Sequence, residues 1–255
     1  MLVDNKFLYV SLPRCGSTSF HYSCMLNGLS IQTLKDRLIK GNLKIDFTNT
    51  KESEITNLIT HGHDELIYLK EEFGDDLPII AVNRDRHETF YSLYKHIISE
   101  LNKWEIFEIS KWFQEISLDD LFFYESKDID TREKRFKVIN DYLIKHKFIK
   151  KSIHYIMKEN KPISQDSYLI NVIDILLTPK SVWHNNDKNI IWFNINELEK
   201  MEKWVSDITN TDFKLKHVNS SSHIETKLIL NDEFKKRYNS IYDYYDLPKN
   251  TKTLI

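Results

Sequence analysis

Phe7-Leu8-Tyr9-Val10-Ser11-Leu12-Pro13-Arg14-Cys15-Gly16-Ser17-Thr18-Ser19-Phe20 passes from an apolar block, through a tight turn, into helix-compatible sequence. Four successive apolar residues suit a strand buried on both faces. Pro13 ends it, and the helical stretch that begins near Ser17 runs to about Gly28, a natural stop. A strand, a short loop and a helix in that order bring unpaired backbone N–H groups and a positive dipole end to one place, which suits an anion. Gly16 allows close approach, Ser17, Thr18 and Ser19 add hydroxyls, and Arg14 adds a permanent cation. The plainer alternative is a helix capped by Ser17 with Arg14 on the surface.

Working outward, residues 58–60 and 79–82 are further strand candidates, the second introduced by Pro78. From Glu88 to Leu101, Phe90, Leu93, Tyr94, Ile97 and Leu101 recur at helical spacing. Residues 104–181 are mostly helical in pattern and rich in aromatics. Residues 189–193 read as a strand, and 194–208 as a helix with Asn194 and Glu197 in a capping arrangement. Residues 213–218 read as a possible last strand. Strands alternating with helices predict an α/β fold: a three-layer P-loop-like parallel sheet flanked by helices, with a mostly helical insertion or cap mid-chain. The expected organisation is a single domain over residues 1–255.

A net charge of −2 over 255 residues provides no basic field for nucleic acid or an anionic membrane. Neither is an expected partner, and an anion must be held by a few placed residues. No run approaches the roughly 20 apolar residues of a membrane span. Cys15 and Cys24, separated by a helix, read as free thiols of a reducing compartment. With charges interrupting any signal-peptide core near the start, the expectation is a cytoplasmic protein.

Pro13-Arg14-Cys15-Gly16-Ser17-Thr18-Ser19 resembles the 5′-phosphosulfate loop of the sulfotransferase superfamily. Asn83-Arg84-Asp85-Arg86-His87-Glu88-Thr89-Phe90-Tyr91-Ser92-Leu93-Tyr94 resembles that superfamily's 3′-phosphate motif, an Arg with a Ser eight residues on and an aromatic two further. Asp85 and Glu88 are similar to the carbohydrate-type branch, whereas Arg86 and Thr89 depart from it. The resemblance implies 3′-phosphoadenosine 5′-phosphosulfate as sulfuryl donor, with Arg14, Cys15, Gly16, Ser17, Thr18 and Ser19 at one end and Arg84 with Ser92 at the other. It implies a small-molecule or glycan acceptor and no metal. The late loop 219–222 resembles in position a segment that folds over the nucleotide, although an ordinary polar loop is the better account of it.

Sulfuryl transfer needs a general base for the acceptor proton, most often His or a carboxylate. His61 and His63 lie between the two motifs, and the position of His61 is the more similar to that of the superfamily's catalytic His. Arg14 is the expected charge stabiliser, and Asp64 or Glu65 an orienting group or substitute base. Alternate strand residues share a face, so His61 and His63 also fit a metal pair, but no third ligand stands near them in sequence. Trp104, Phe107, Trp112, Phe113, Phe122, Phe123 and Tyr124 fit either an acceptor cleft or a core.

Two other classes compete. A kinase or ATPase loop wants Gly-x-x-x-x-Gly-Lys-Ser/Thr, but the first Gly is missing here and Ser17 stands where Lys should. A non-catalytic nucleotide- or glycan-binding module would keep the fold without turnover.

Overall fold

The computed structural model describes residues 1–40, 42, 63–103, 132–145, 157–158, 161–162, 174, 178 and 180–217, with isolated positions from 232 to 239. The chain divides into two compact units, one of residues 1–85, 180–220 and 247–255, the other of 86–179 and 221–246.

In the first unit, Phe7, Leu8, Tyr9 and Val10 form strand β2 (Phe7–Val10), and each is fully buried. A strand apolar on both faces belongs in the middle of a sheet. β2 has β1 (Leu2–Val3) antiparallel on one side and β4 (Ile79–Asn83) parallel on the other. β3 (Ile31–Gln32) pairs with β1, and β7 (Ile190–Asn194) pairs in parallel with β4, giving the order β3-β1-β2-β4-β7. The expected parallel sheet is thus parallel over β2, β4 and β7 and mixed as a whole. Asp4 and Asn5 take positive φ (49° and 53°) and Lys6 N–H returns to the Val3 carbonyl at 2.9 Å. That is the primed turn that joins antiparallel neighbours.

Helix α1 (Ser17–Leu26) packs on this sheet through Phe20, whose ring stacks on Tyr9 at 4.1 Å and meets Phe7 and Phe213 at 6.4 and 5.7 Å. It stops where expected. Leu29 N–H bonds the Cys24 carbonyl and Gly28 N–H that of Met25, with Gly28 at φ 71°. This double closure needs a residue that tolerates the left-handed region. Helix α2 (Leu34–Ile39) follows β3, α3 (Leu66–Phe73) precedes β4, and α6 (Lys180–His184) precedes β7.

The last helix of the unit, α7 (Leu198–Thr209), buries Met201, Val205 and Thr209. It begins four residues later than expected, with no side-chain cap. Asn194 instead ends β7, and its Oδ1 accepts from Asn196 N–H at 2.9 Å. Residues 213–217 form no strand. Their N–H groups go to helix side chains: Phe213 to Ser206 Oγ (3.0 Å), Leu215 to Glu202 Oε1 (2.7 Å) and Lys216 to Ser23 Oγ (2.7 Å).

In the second unit α4 (Arg86–Lys103) buries Phe90, Leu93, Tyr94 and Ile97, four of the residues read at helical spacing, and also Ile98. α5 (Arg132–Lys145) buries Ile139 and Tyr142. A two-stranded antiparallel ladder, β5 (Met157–Lys158) with β6 (Lys161–Pro162), interrupts the stretch expected to be helical. No helix among the described residues is long and apolar enough to cross a membrane.

Candidate functional site

β2 and β4 are parallel neighbours, but the chain leaves β2 through α1 toward β3 on the far side of β1, while β4 lies on the opposite side. The carboxyl ends of such a pair frame the crevice where α/β sheets take ligands. The loop between β2 and α1 opens there.

Its backbone has a pattern that residue types do not disclose. Arg14 and Gly16 have φ of 59° and 82°, and Cys15 between them is not in the positive region. Ser17 is already helical. Alternation of sign over successive residues turns N–H groups toward one concavity, an anion nest. Cys15 N–H closes the turn on the Leu12 carbonyl at 3.3 Å. Among the described residues no acceptor meets the N–H groups of Gly16, Ser17 or Thr18, and α1 has no side-chain cap. Gly16, not Ser17, is the N-cap residue, which corrects the plainer reading of this helix start.

Of the hydroxyls, Thr18 is exposed, Ser17 half-buried and Ser19 buried. The Cys15 side chain is fully buried in the core, so only its backbone belongs to the loop. Cys15 and Cys24 are free thiols, and burial pushes the Cys24 thiol up to about 12.

A Cβ at Gly16 would meet nothing within 4 Å, so replacement there is a test of backbone conformation and not of space. Gly16→Ala is expected to cost about 1–2 kcal/mol, the strain of an L-residue in the left-handed region. Urea denaturation measures it, and an unchanged midpoint would mean the loop relaxes without cost.

Arg84, just past the end of β4, reaches the same loop: its Nη1 donates to the Arg14 carbonyl at 3.4 Å. Lys180, at the start of α6, donates to Asn83 Oδ1 at 3.1 Å and to the Arg84 carbonyl at 2.5 Å. Sequence reasoning missed Lys180. Its one signal is a cation placed shortly before the strand that pairs with β4.

His63 is half-buried, with Nδ1 at 2.6 Å from the carbonyl of Ser11, the residue that follows β2. A carbonyl only accepts, so Nδ1 carries the proton and Nε2 is the basic nitrogen of the neutral ring. The Trp183 ring lies 6.0 Å away, tilted at 59°. Asp64 does not orient this imidazole. It is 2% exposed, and burial raises its carboxyl above the usual range against the opposing pull of the Met1 amine. Glu65 is the N-cap residue of α3.

Ser92 is buried on α4 in the second unit, whereas Arg84 belongs to the first. Tyr94, on the same helix, is buried, which raises its phenol to about 12. His61, the strand candidate 58–60, the aromatic stretch 104–124 and the loop 219–222 lie outside the described residues.

No family model matches this chain, and neither do any curated proteins or solved structures.

Proposed function

We propose that this chain is a sulfotransferase, moving a sulfuryl group from 3′-phosphoadenosine 5′-phosphosulfate to an acceptor hydroxyl or amine, a glycan among the candidates. The observation that carries the reading is the alternating backbone of Arg14, Cys15 and Gly16, with amides at the start of α1 that meet no acceptor among the described residues. Arg14, Arg84 and Lys180 add cations at the same carboxyl edge of the sheet. On this reading the first unit is a P-loop-like layered sheet, and the donor's 5′-phosphosulfate sits in the nest.

The roles follow from charge flow. The acceptor oxygen bonds to sulfur, the bond from sulfur to the phosphate oxygen breaks, and the acceptor proton goes to His63 Nε2. Arg14 and the loop amides stabilise charge on the departing phosphate, a role preorganised donors fill without rearrangement. Trp183 offers a ring surface beside the base for the acceptor. Two features of β4 weigh against a kinase. Asn83 closes the strand where a magnesium-holding carboxylate is usual, and its Oδ1 is engaged by Lys180.

Adenosine 3′,5′-bisphosphate is expected to raise the melting temperature more than ATP with magnesium, since stabilisation follows affinity. The reverse order would favour the kinase reading. Arg84→Ala is expected to weaken adenosine 3′,5′-bisphosphate by about 1.5–3 kcal/mol, and adenosine 5′-phosphate much less. Calorimetry with both ligands decides: equal losses put Arg84 on the 5′-phosphate, as its contact with the loop allows. Ser92→Ala tests the other half of the sequence pattern.

A further inference from the structure

Lys180 sits 96 residues from Arg84 in sequence, yet its ammonium bonds the Arg84 carbonyl at 2.5 Å and the Asn83 side chain at 3.1 Å. β4 ends at this point. Asn83 is the last residue in register with β7, and its carbonyl is taken by Ile195 N–H at 2.9 Å. The Arg84 carbonyl therefore lies past the sheet ladder, and the direction in which Arg84 leaves the strand must be set by something else.

We infer that Lys180 is a positioning residue of the anion site. It ties down the end of β4, and so aims the Arg84 guanidinium at the phosphate loop. The inference rests on the reading of the site just given. The linkage runs through three residues of one unit. Lys180 holds the Arg84 backbone, the Arg84 guanidinium holds the Arg14 carbonyl at 3.4 Å, and Arg14 holds a φ of 59° that a non-glycine residue adopts only under constraint. Without the first contact Arg84 loses its aim, and the loop loses the acceptor-side contact that steadies its left-handed residue. A lysine suits this place because one ammonium carries three N–H donors and can serve two acceptors on different groups. Its charge also adds to the field at the mouth of the nest.

The alternative is that Lys180 only pins α6 to the sheet, a contribution to stability with no bearing on the ligand. A double-mutant cycle separates the two. Calorimetry with adenosine 3′,5′-bisphosphate is run on the parent chain, Lys180→Ala, Arg84→Ala and the double variant, each at a temperature where its melting curve shows it folded. Lys180→Ala is expected to weaken binding about tenfold, and the double variant to bind no more weakly than Arg84→Ala alone. Lys180→Arg, which keeps the charge and donors, should recover most of the loss, and it serves as the second probe if the alanine variant does not fold. If losses multiply in the double variant, or Lys180→Ala binds like the parent, the positioning role is overturned while the reading of the site stands. If the parent itself shows no saturable binding, that reading falls, and this inference falls with it.

Discussion

His63→Ala is expected to lower turnover by a factor of about 10² to 10⁴ while leaving the affinity for adenosine 3′,5′-bisphosphate nearly unchanged. The split follows from where the imidazole stands. Nδ1 is committed to the Ser11 carbonyl at 2.6 Å, beside the loop but not part of its alternating backbone. The ring can thus take a proton at Nε2 without holding the nucleotide. Single-turnover rates with a simple phenol or sugar acceptor measure the first half of the expectation, and calorimetry the second. His63→Gln keeps a donor for the Ser11 carbonyl but supplies no base, so it should be as slow as the alanine variant. Near-normal turnover in both would remove His63 from the chemistry and turn attention to His61.

Phe20→Ala is expected to destabilise the first unit by about 3–5 kcal/mol, the usual cost of deleting a buried aromatic. Phe20 is fully buried at the meeting point of Tyr9, Phe7 and Phe213, so no single neighbour can fill the space it leaves. Urea unfolding should show the change in midpoint, with a melting temperature lower by roughly 6–20 °C. Phe20→Leu should recover more than half of the loss. A melting temperature within a degree or two of the parent's for Phe20→Ala would mean that α1 does not owe its place, and the loop its anchor, to this aromatic contact.

The elements that carry the site were readable because their signals are local. Four apolar residues in a row gave β2, and Gly28 gave the end of α1. β4 was visible as a short apolar run after Pro78. β1 and β3 are two residues each, too short for any period to register, although Asp4-Asn5 is the kind of pair that makes a primed turn. Asn194 was misread because an Asn side chain serves a helix cap or a turn with the same atoms, and here the turn won. Residues 213–217 alternate as a strand would, but Ser206, Glu202 and Ser23 supply the acceptors that a neighbouring strand would have offered. Within the site, Arg14 and Gly16 were legible as residue types. The positive φ of Arg14 was not, since a non-glycine residue gives no hint of it. Lys180 was invisible for another reason: with 36 lysines and arginines in the chain, only the fold distinguishes this one.

The first unit is assembled from stretches far apart in the chain, and this bears on how it is made. During translation at about 5–20 residues per second, the 96-residue step from Arg84 to Lys180 takes roughly 5–20 s to emerge. β2 and β4 can pair early, but β7, the strand that covers the other side of β4, leaves the ribosome only after that interval. Until then Ile79, Ile80, Ala81 and Val82 present an apolar, half-paired edge, the kind of surface that recruits other chains. A nascent chain stalled before residue 180 therefore holds the loop between β2 and α1 and the open β4 edge at once, and should be the species that chaperones capture.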